Sequence, residues 1–370
     1  MPPVRAADVP VAVAGAVGSR TLPPLWPGGR RPDGVVTTTG HGQARRNWVA
    51  AQTTAPRDRG GHLWPKDRFA TSVDGSRVAY AVRGPEGAPA VLFCAGYLCP
   101  DNFWRDLAPS LARDHRVVIL NYRGVGASSE AGGGDLPPGA DGYTMELLAA
   151  DVAAVADAEG LRDATVVGHS MGVEVALALW RARADLVGRL ALVAGPYASP
   201  LLTFYGSTIA AAMFPLVSIT VPAFPRALTG VAMRALELPI TLPVARAIRA
   251  LGPHTPDEGM RDYRWHLSEV DPRTAIWTAR GMHAFDPTPW LHEVDVPTVV
   301  VVGTADAWSP RSVGEDLVTM LPDARLVVIE EGSHGLPIEF PDLIEPAIRR
   351  LSTPMPRSAG GSGRPLLAAQ

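Results

Sequence analysis

The feature that most constrains this chain is a Gly-x-Ser-x-Gly frame at residues 168–172, with Ser170 at its centre. A short β-branched run at residues 164–167 precedes the frame, and an apolar stretch of helical character follows it at residues 173–180. A strand, a sharp turn and a helix in this order hold a serine hydroxyl clear of the backbone. The two glycines leave room for neighbouring backbone in such a turn. The frame therefore predicts a nucleophilic serine, with an ordinary strand-to-helix turn as the alternative interpretation.

A serine alcohol is a weak nucleophile, so it needs a base, and the base needs an acid that orients it. Two later β-branched runs lead into loops with these residue types. Residues 297–303 predict a strand that leads into a loop with Asp306. Residues 324–329 predict a strand that leads into a loop with His334. Because the carboxyl ends of parallel strands meet at one edge of a sheet, we expect both side chains to lie close to Ser170.

Further motifs lie at matching places along the chain. Residues 91–97 combine an apolar strand with an Ala-Gly turn, and residues 123–128 read Arg-Gly-Val-Gly-Ala-Ser after another strand. Together with the serine, acid and base loops, these motifs resemble the α/β-hydrolase family over residues 67–352. The resemblance implies an α/β-hydrolase fold, with a mostly parallel, eight-stranded sheet that is flanked by helices and carries a helical lid insertion.

The resemblance also implies a role for each site residue. Ser170, Asp306 and His334 are expected to be the nucleophile, the acid and the base of a catalytic triad. The backbone N–H groups of Tyr97 and Met171 are expected to form the oxyanion hole. No cofactor and no metal ion is implied. The family usually has His-Gly before the oxyanion residue, whereas this chain has Ala-Gly, and that difference bears on substrate preference more than on activity.

Composition divides the chain into five segments. Both ends are rich in glycine and proline and lack hydrophobic periodicity, which is typical of disorder. In the middle of the chain, the alternation of strands and helices is interrupted by an apolar, proline-containing stretch. We expect a disordered leader at 1–65, the first part of the core at 66–197, a helical lid at 198–290, the second part of the core at 291–352 and a disordered tail at 353–370.

The expected lid contains aromatic residues that include Phe204 and Phe214. Apolar side chains in a lid either pack it on the core or line the cleft that it covers. Some of them must face the cleft, because the lid forms its roof, so we expect Phe204 and Phe214 to bind substrate. An apolar roof implies that the substrate has an apolar acyl or alkyl part.

Charge and hydropathy exclude several classes of partner. A net charge of −3 gives no electrostatic attraction to nucleic acid. The longest apolar stretch, residues 208–224, is broken by two prolines and lacks the charged flanks of a membrane span. Residues 9–18 resemble a signal sequence only weakly, because Pro10 interrupts them. We therefore predict a cytoplasmic protein without a membrane span or a nucleic-acid partner, and the sequence leaves its oligomeric state open.

Taken together, these features predict a serine hydrolase that cleaves an ester or related acyl bond of a small, partly apolar substrate. Two alternatives stay open. The same triad supports acyl transfer or perhydrolysis when an alcohol, amine or peroxide takes the place of water. The other alternative is a non-catalytic, ligand-binding homologue. Serine at position 170 argues against the dehalogenase and epoxide-hydrolase members of the family, which use aspartate there.

Overall fold

The computed structural model describes residues 35–38, 63–129, 139–202, 209–223, 231 and 234–352. Within them, nine strands form one sheet in the order β1-β9-β8-β7-β6-β4-β5-β3-β2. The strands are β1 (Val35–Thr38), β2 (Arg68–Thr71), β3 (Arg77–Arg83), β4 (Ala90–Cys94), β5 (Arg116–Leu120), β6 (Ala164–His169), β7 (Val187–Val193), β8 (Thr298–Gly303) and β9 (Ala324–Ile329). All neighbours pair in parallel except β2 with β3 and β3 with β5.

Helices cover the sheet and explain its apolar sequence. Every residue of β6 and β8 is buried, because a parallel sheet is covered on both faces and its central strands become continuous apolar runs. The helices outside the β7–β8 connection are α1 (Leu107–Leu111), α2 (Met145–Ala158), α3 (Met171–Ala182), α8 (Arg311–Met320), α9 (Leu336–Glu339) and α10 (Pro341–Ser352). The expected α/β-hydrolase fold, with a mostly parallel sheet flanked by helices, is confirmed.

The described part of the chain between β7 and β8 is mostly helical. It contains α4 (Ile209–Ala223), α5 (Thr241–Ala247), α6 (Asp257–Glu269) and α7 (Pro272–Ala284). We call residues 198–290 the insertion. Among the described residues, no helix is both long enough and apolar enough to cross a bilayer.

A ninth strand, β1, lies at one edge of the sheet, within the segment that was expected to be the leader. β1 pairs in parallel with β9, with Val35 opposite Leu326 and Thr38 opposite Ile329. Its sequence, Val-Val-Thr-Thr, has high β-propensity, which the surrounding glycines and prolines concealed. Leu63 is also buried, and its N–H donates to Asp101. Residues 1–34 and 39–62, like the predicted tail at 353–370, lie outside the described residues.

A buried ion cluster joins three parts of the core. The guanidinium of Arg123, in the Arg-Gly turn after β5, pairs with Asp151 of α2 at 2.5 Å and with Asp74 of the β2–β3 turn at 2.6 Å. The side chains of Arg123 and Asp151 are fully buried. Removal of one partner of such a pair leaves an uncompensated buried charge, at a cost of roughly 3–5 kcal/mol. The cluster thus fixes the turn that borders the candidate site.

Candidate active site

Ser170 occupies a strained turn between β6 and α3. Its φ of 54° and ψ of −125° lie outside the regions that L-residues normally adopt. A Cβ at Gly168 would lie 2.3 Å from the carbonyl oxygen of Gly172, and a Cβ at Gly172 would lie 2.0 Å from that of Cys94. Only glycine fits at either position, so the close packing of β4, β6 and α3 holds the turn in this conformation.

The structure brings Ser170, His334 and Asp306 together at the carboxyl ends of three parallel strands. His334 Nε2 lies 2.9 Å from Ser170 Oγ, and His334 Nδ1 lies 3.0 Å from Asp306 Oδ2. With a proton on Nδ1, the imidazole donates to the carboxylate and presents a lone pair to the serine hydroxyl. The Asp306 side chain is fully buried, whereas the imidazole is 19% exposed. The imidazole is therefore accessible to solvent and the carboxylate is not.

Asp306 is held by the backbone of its own loop. Its Oδ1 accepts hydrogen bonds from the N–H groups of Trp308, at 2.8 Å, and Ser309, at 2.9 Å. The other oxygen, Oδ2, is the nearer of the two to His334 Nδ1, at 3.0 Å against 3.2 Å. The Trp308 ring stacks beside the His334 ring, with centroids 5.7 Å apart and planes 24° apart. The acid loop thus fixes the carboxylate directly and the imidazole by contact.

A second buried carboxylate holds the base loop. Glu339 accepts hydrogen bonds from the backbone N–H of Ser333, at 2.7 Å, and from the hydroxyls of Ser333 and Thr255. On the other side of the loop, His169 Nε2 donates to the carbonyl oxygen of His334 at 2.8 Å. These bonds restrain the backbone on both sides of His334. The imidazole can therefore keep its orientation without help from substrate.

The residues expected to form the oxyanion hole border Ser170. A Cβ at Gly96 would lie 3.0 Å from Ser170 Cβ, so the turn that carries Tyr97 packs directly against the serine. Met171 is the first residue of α3, and its N–H therefore has no acceptor within the helix. The positive end of the helix dipole adds to its attraction for an anion. The phenol of Tyr97 donates to the carbonyl oxygen of Ala275 in α7, at 2.8 Å.

Burial shifts the pKa of two ionisable groups beside the serine in the direction that favours their neutral forms. Burial, assisted by the nearby His334, lowers the pKa of His169 to about 3. Burial raises the pKa of Glu174 well above its usual range. Neither oxygen of Glu174 has a hydrogen-bond partner within the part of the chain that the structure describes. The surroundings of the serine are therefore of low polarity, which strengthens the electrostatic interactions formed there.

The insertion is hydrogen-bonded to all three loops of the site. Besides the Tyr97–Ala275 contact, the Trp308 indole N–H donates to the carbonyl oxygen of Ala250 at 3.1 Å. The N–H of Gly252 donates to Ser333 Oγ at 3.2 Å. The oxyanion turn, the acid loop and the base loop are therefore each tied to the same segment.

The two phenylalanines expected to bind substrate have different outcomes. Phe204 lies outside the described residues. Phe214, on α4, packs edge-on against His283 of α7, with ring centroids 5.6 Å apart and planes 74° apart. This contact anchors one helix of the insertion to another. A role of Phe214 in substrate binding remains a prediction.

Sequence reasoning missed the residues that support the three candidate catalytic side chains. Trp308 follows Asp306 by two residues, and Glu339 follows His334 by five, so their spacing was visible. Their partners Ala250 and Thr255 are distant in sequence, and no local pattern pointed to these contacts. In the described residues, no group of three or more His, Cys, Asp or Glu side chains is arranged to hold a metal ion.

Comparisons with known proteins identify the family of this chain. The alpha/beta hydrolase fold family matches residues 89–341. A non-heme haloperoxidase from Rhodococcus erythropolis is 28% identical over 274 residues, which cover 72% of this chain and 93% of that protein. The structure of a thermophilic esterase from Thermogutta terrifontis, with malate bound, has a TM-score of 0.60 at 25% identity and covers 77% of this chain and 99% of that chain.

The chain also resembles a small part of a much larger protein. It is 28% identical over 300 residues to a polyketide synthase from Burkholderia thailandensis, and this match covers 78% of the chain but 13% of that protein. The family match, by contrast, extends over more than half of the chain and includes the serine turn and both loops. The chain therefore belongs to the α/β-hydrolase fold family and is a hydrolase.

Proposed function

We propose that this protein hydrolyses carboxylic esters of small, partly apolar substrates through Ser170, His334 and Asp306. The observation that carries the proposal is the unbroken line of contacts from acid to base to serine, at 3.0 Å and 2.9 Å. Both distances are within hydrogen-bond reach, which a nucleophile and its base require. The likeness to a solved esterase supports the choice of an ester as substrate.

The proposed reaction has two halves. Ser170 Oγ attacks the acyl carbonyl while His334 Nε2 takes the hydroxyl proton, and the imidazolium then gives that proton to the departing alcohol. A water molecule attacks the resulting acyl-enzyme by the same route in reverse. Asp306 keeps the Nδ1–H tautomer and stabilises the imidazolium. Its buried position and its two backbone donors support this role.

The negative charge that develops on the carbonyl oxygen is proposed to meet the N–H groups of Tyr97 and Met171. The unsatisfied N-terminal position of Met171 and the tight approach of the preceding turn to Ser170 support this assignment. Loss of one such donor typically slows an acyl-transfer enzyme by about 100- to 1,000-fold. Since both donors are backbone groups, they withstand side-chain substitution unless the turn itself is distorted.

A small cavity suggests the size of the acyl group. The cavity adjoins Gly96 and Met171 and encloses about 20 Å³, and its lining combines apolar residues such as Leu98 with polar ones such as Asn121. That space holds one water molecule or one methyl group. The apolar insertion favours longer chains by about 0.8 kcal/mol per buried methylene. We therefore expect kcat/KM to rise from acetyl to propionyl or butyryl esters and to fall for longer acyl groups.

The triad is tested by three single substitutions. Ser170→Ala, His334→Ala and Asp306→Asn should each leave a folded protein, with p-nitrophenyl ester hydrolysis reduced roughly 10⁴-fold or more for the serine variant. Their effects should not add, because the three residues act as one unit. A fluorophosphonate probe should label the wild type at Ser170 and fail to label Ser170→Ala. Near-normal turnover by Asp306→Asn would contradict the assignment of the acid.

A second candidate function is transfer of the acyl group to an acceptor other than water. The likeness to a protein named a non-heme haloperoxidase favours peroxide as that acceptor. Product analysis decides between the two, with an ester supplied in water that contains hydrogen peroxide or an alcohol. Carboxylic acid as the main product supports hydrolysis, whereas peracid or a new ester supports transfer. Failure of the serine probe to react would instead favour a ligand-binding homologue.

A further inference from the structure

The described part of the insertion exposes many large apolar side chains. In the part of the chain that the structure describes, thirteen large apolar side chains are exposed, and ten of them lie between residues 209 and 248. The ten are Ile209, Met213, Leu216, Val217, Ile219, Val231, Leu238, Ile240, Val244 and Ile248. We call them the apolar face. So many exposed apolar side chains within 40 residues are uncommon on a soluble monomer and indicate surface that contacts something else.

Helix α4 shows that this face is more than scattered exposure. An ordinary surface helix turns its polar side to solvent. The fifteen residues of α4 contain no charged side chain, and their exposed positions include Ile219, at 72%, and Leu216, at 59%. The half-buried Phe214 instead faces α7. The helix therefore presents apolar side chains outwards as well as inwards.

The two polar side chains on α4 are satisfied within the helix. Ser218 Oγ donates to the carbonyl oxygen of Pro215 at 2.9 Å, and Thr220 Oγ1 donates to that of Leu216 at 2.8 Å. A hydroxyl that bonds to its own helix does not need a donor or acceptor outside it. Such back-bonding is how serine and threonine are accommodated where the surroundings lack water. The polar groups of α4 thus fit an apolar environment.

The charge of the surrounding segment indicates which kind of partner the apolar face binds. Residues 201–251 contain four arginines and one glutamate, a net charge of +3, while the whole chain carries −3. The rest of the chain therefore carries −6. Of these arginines, Arg246 pairs with Asp257 at 2.7 Å, whereas Arg234 and Arg249 are exposed. Apolar side chains accompanied by arginine are typical of helices that lie in the interface of an anionic membrane.

A second copy of the chain is a poorer match for the same face. A symmetric dimer would place the two positively charged segments against each other, because the same patch is used on both subunits. The repulsion would oppose the burial of the apolar side chains. An anionic lipid surface attracts both components of the face, and the helices need only lie on it.

We propose that the apolar face docks the protein on the surface of an anionic phospholipid bilayer. The helices that carry the apolar face lie in the interface, with the apolar side chains among the lipid chains and with Arg234 and Arg249 at the level of the phosphates. The insertion also contacts the three loops of the candidate site. Docking would consequently bring the cleft close to substrates that partition into lipid. The docking itself does not depend on the proposed ester hydrolysis.

Sedimentation of the full-length protein with lipid vesicles tests the proposal. We expect binding to vesicles of equal phosphatidylglycerol and phosphatidylcholine, much weaker binding to phosphatidylcholine alone, and several-fold weakening as NaCl rises from 0.1 to 0.5 M. The double variant Leu216→Asp/Ile219→Asp should lose at least about tenfold in partitioning. Arg234→Glu/Arg249→Glu should remove most of the preference for the anionic vesicles.

Val73→Asp is the matched control, because Val73 is 79% exposed but lies in the turn between β2 and β3. It should bind vesicles as the wild type does. Unchanged hydrolysis of a water-soluble ester shows that each variant is folded. Absence of wild-type binding to anionic vesicles, or an equal loss in Val73→Asp, would overturn the proposal. A wild-type dimer that Leu216→Asp/Ile219→Asp converts to monomer, without vesicle binding, would overturn it in favour of a second copy.

Discussion

Replacement of Glu174 by methionine should stabilise the protein at neutral pH. Glu174 lies in the first turn of α3, four residues after Ser170, and is fully buried. Neither carboxyl oxygen meets a hydrogen-bond partner among the described residues. Burial raises the pKa of this carboxyl well above its ordinary value near 4.5. Methionine has a similar length and no strongly polar group, so it fills the same space without the cost of desolvation.

The size of the effect follows from that cost. A buried polar group without a partner destabilises a protein by roughly 1–3 kcal/mol. We therefore expect Glu174→Met to gain about 2 kcal/mol, or about 4–8 °C in Tm for a domain of this size. A group whose pKa is raised on folding contributes stability below its unfolded pKa and loses it as pH rises. The advantage of methionine should accordingly grow from pH 5 to pH 8.

Denaturant unfolding of the wild type and Glu174→Met at pH 5 and pH 8 measures both quantities. Glu146→Met is the matched control, because Glu146 is exposed on the neighbouring helix α2, and surface substitutions usually change stability by less than about 0.5 kcal/mol. A variant that is less stable than the wild type at pH 8 would refute the reasoning. That result would mean that the carboxyl group of Glu174 is compensated in the folded protein.

Three further predictions concern the supports of the site and the edge of the sheet. His169, with its pKa lowered to about 3, should cost the wild type roughly 2–3 kcal/mol of stability as pH falls from 7.5 to 4.5. His169→Gln keeps a donor for the His334 carbonyl and should flatten that decline in acid unfolding curves, so an unchanged slope would argue against a neutral, buried imidazole. Ser333→Ala removes the hydrogen bond from the Ser333 hydroxyl to Glu339 and should lower kcat several-fold with little change in KM. An unchanged kcat would show that the loop of His334 does not need this hydrogen bond. Deletion of residues 1–60 removes β1 and leaves β9 as an unprotected edge of the sheet. Light scattering should therefore detect more aggregation of this variant than of one that lacks only residues 1–34. Equal aggregation of the two variants would show that β1 does not protect the edge.

The catalytic candidates could be predicted because their local chemistry leaves few choices. The serine turn requires Gly168 and Gly172, since a Cβ at either would overlap backbone. Asp306 and His334 each follow a strand whose β-branched run is unmistakable in the sequence. Parallel strands then bring the three ends to one edge without any further information. The fold and the candidate site could thus be predicted from short local sequence patterns.

The rest depended on contacts between distant residues. Glu339 is bonded to Thr255 across 84 positions, and Trp308 to Ala250 across 58. Neither partner has a distinctive local sequence. β1 shows a different limit, because its four residues do favour a strand but lie among glycines and prolines that favour disorder. Only the unpaired edge of β9 decides between the two outcomes, and that edge exists only once the sheet has formed.

The hydrogen bonds between the insertion and the loops of the site imply that substrate entry is coupled to the position of the loop that carries Asp306. A substitution of Trp308 tests this coupling. Trp308→Phe keeps an aromatic ring beside His334 but removes the N–H that Ala250 accepts. Asp306 keeps both backbone donors in this variant, because they are main-chain groups. We therefore expect labelling of Ser170 by a small fluorophosphonate at a rate close to that of the wild type. We also expect a several-fold change in KM for butyryl esters, whose acyl chains are proposed to contact the insertion. An equal loss of labelling and ester turnover would instead mean that Trp308 acts on the imidazole alone and that the insertion moves independently of the acid loop.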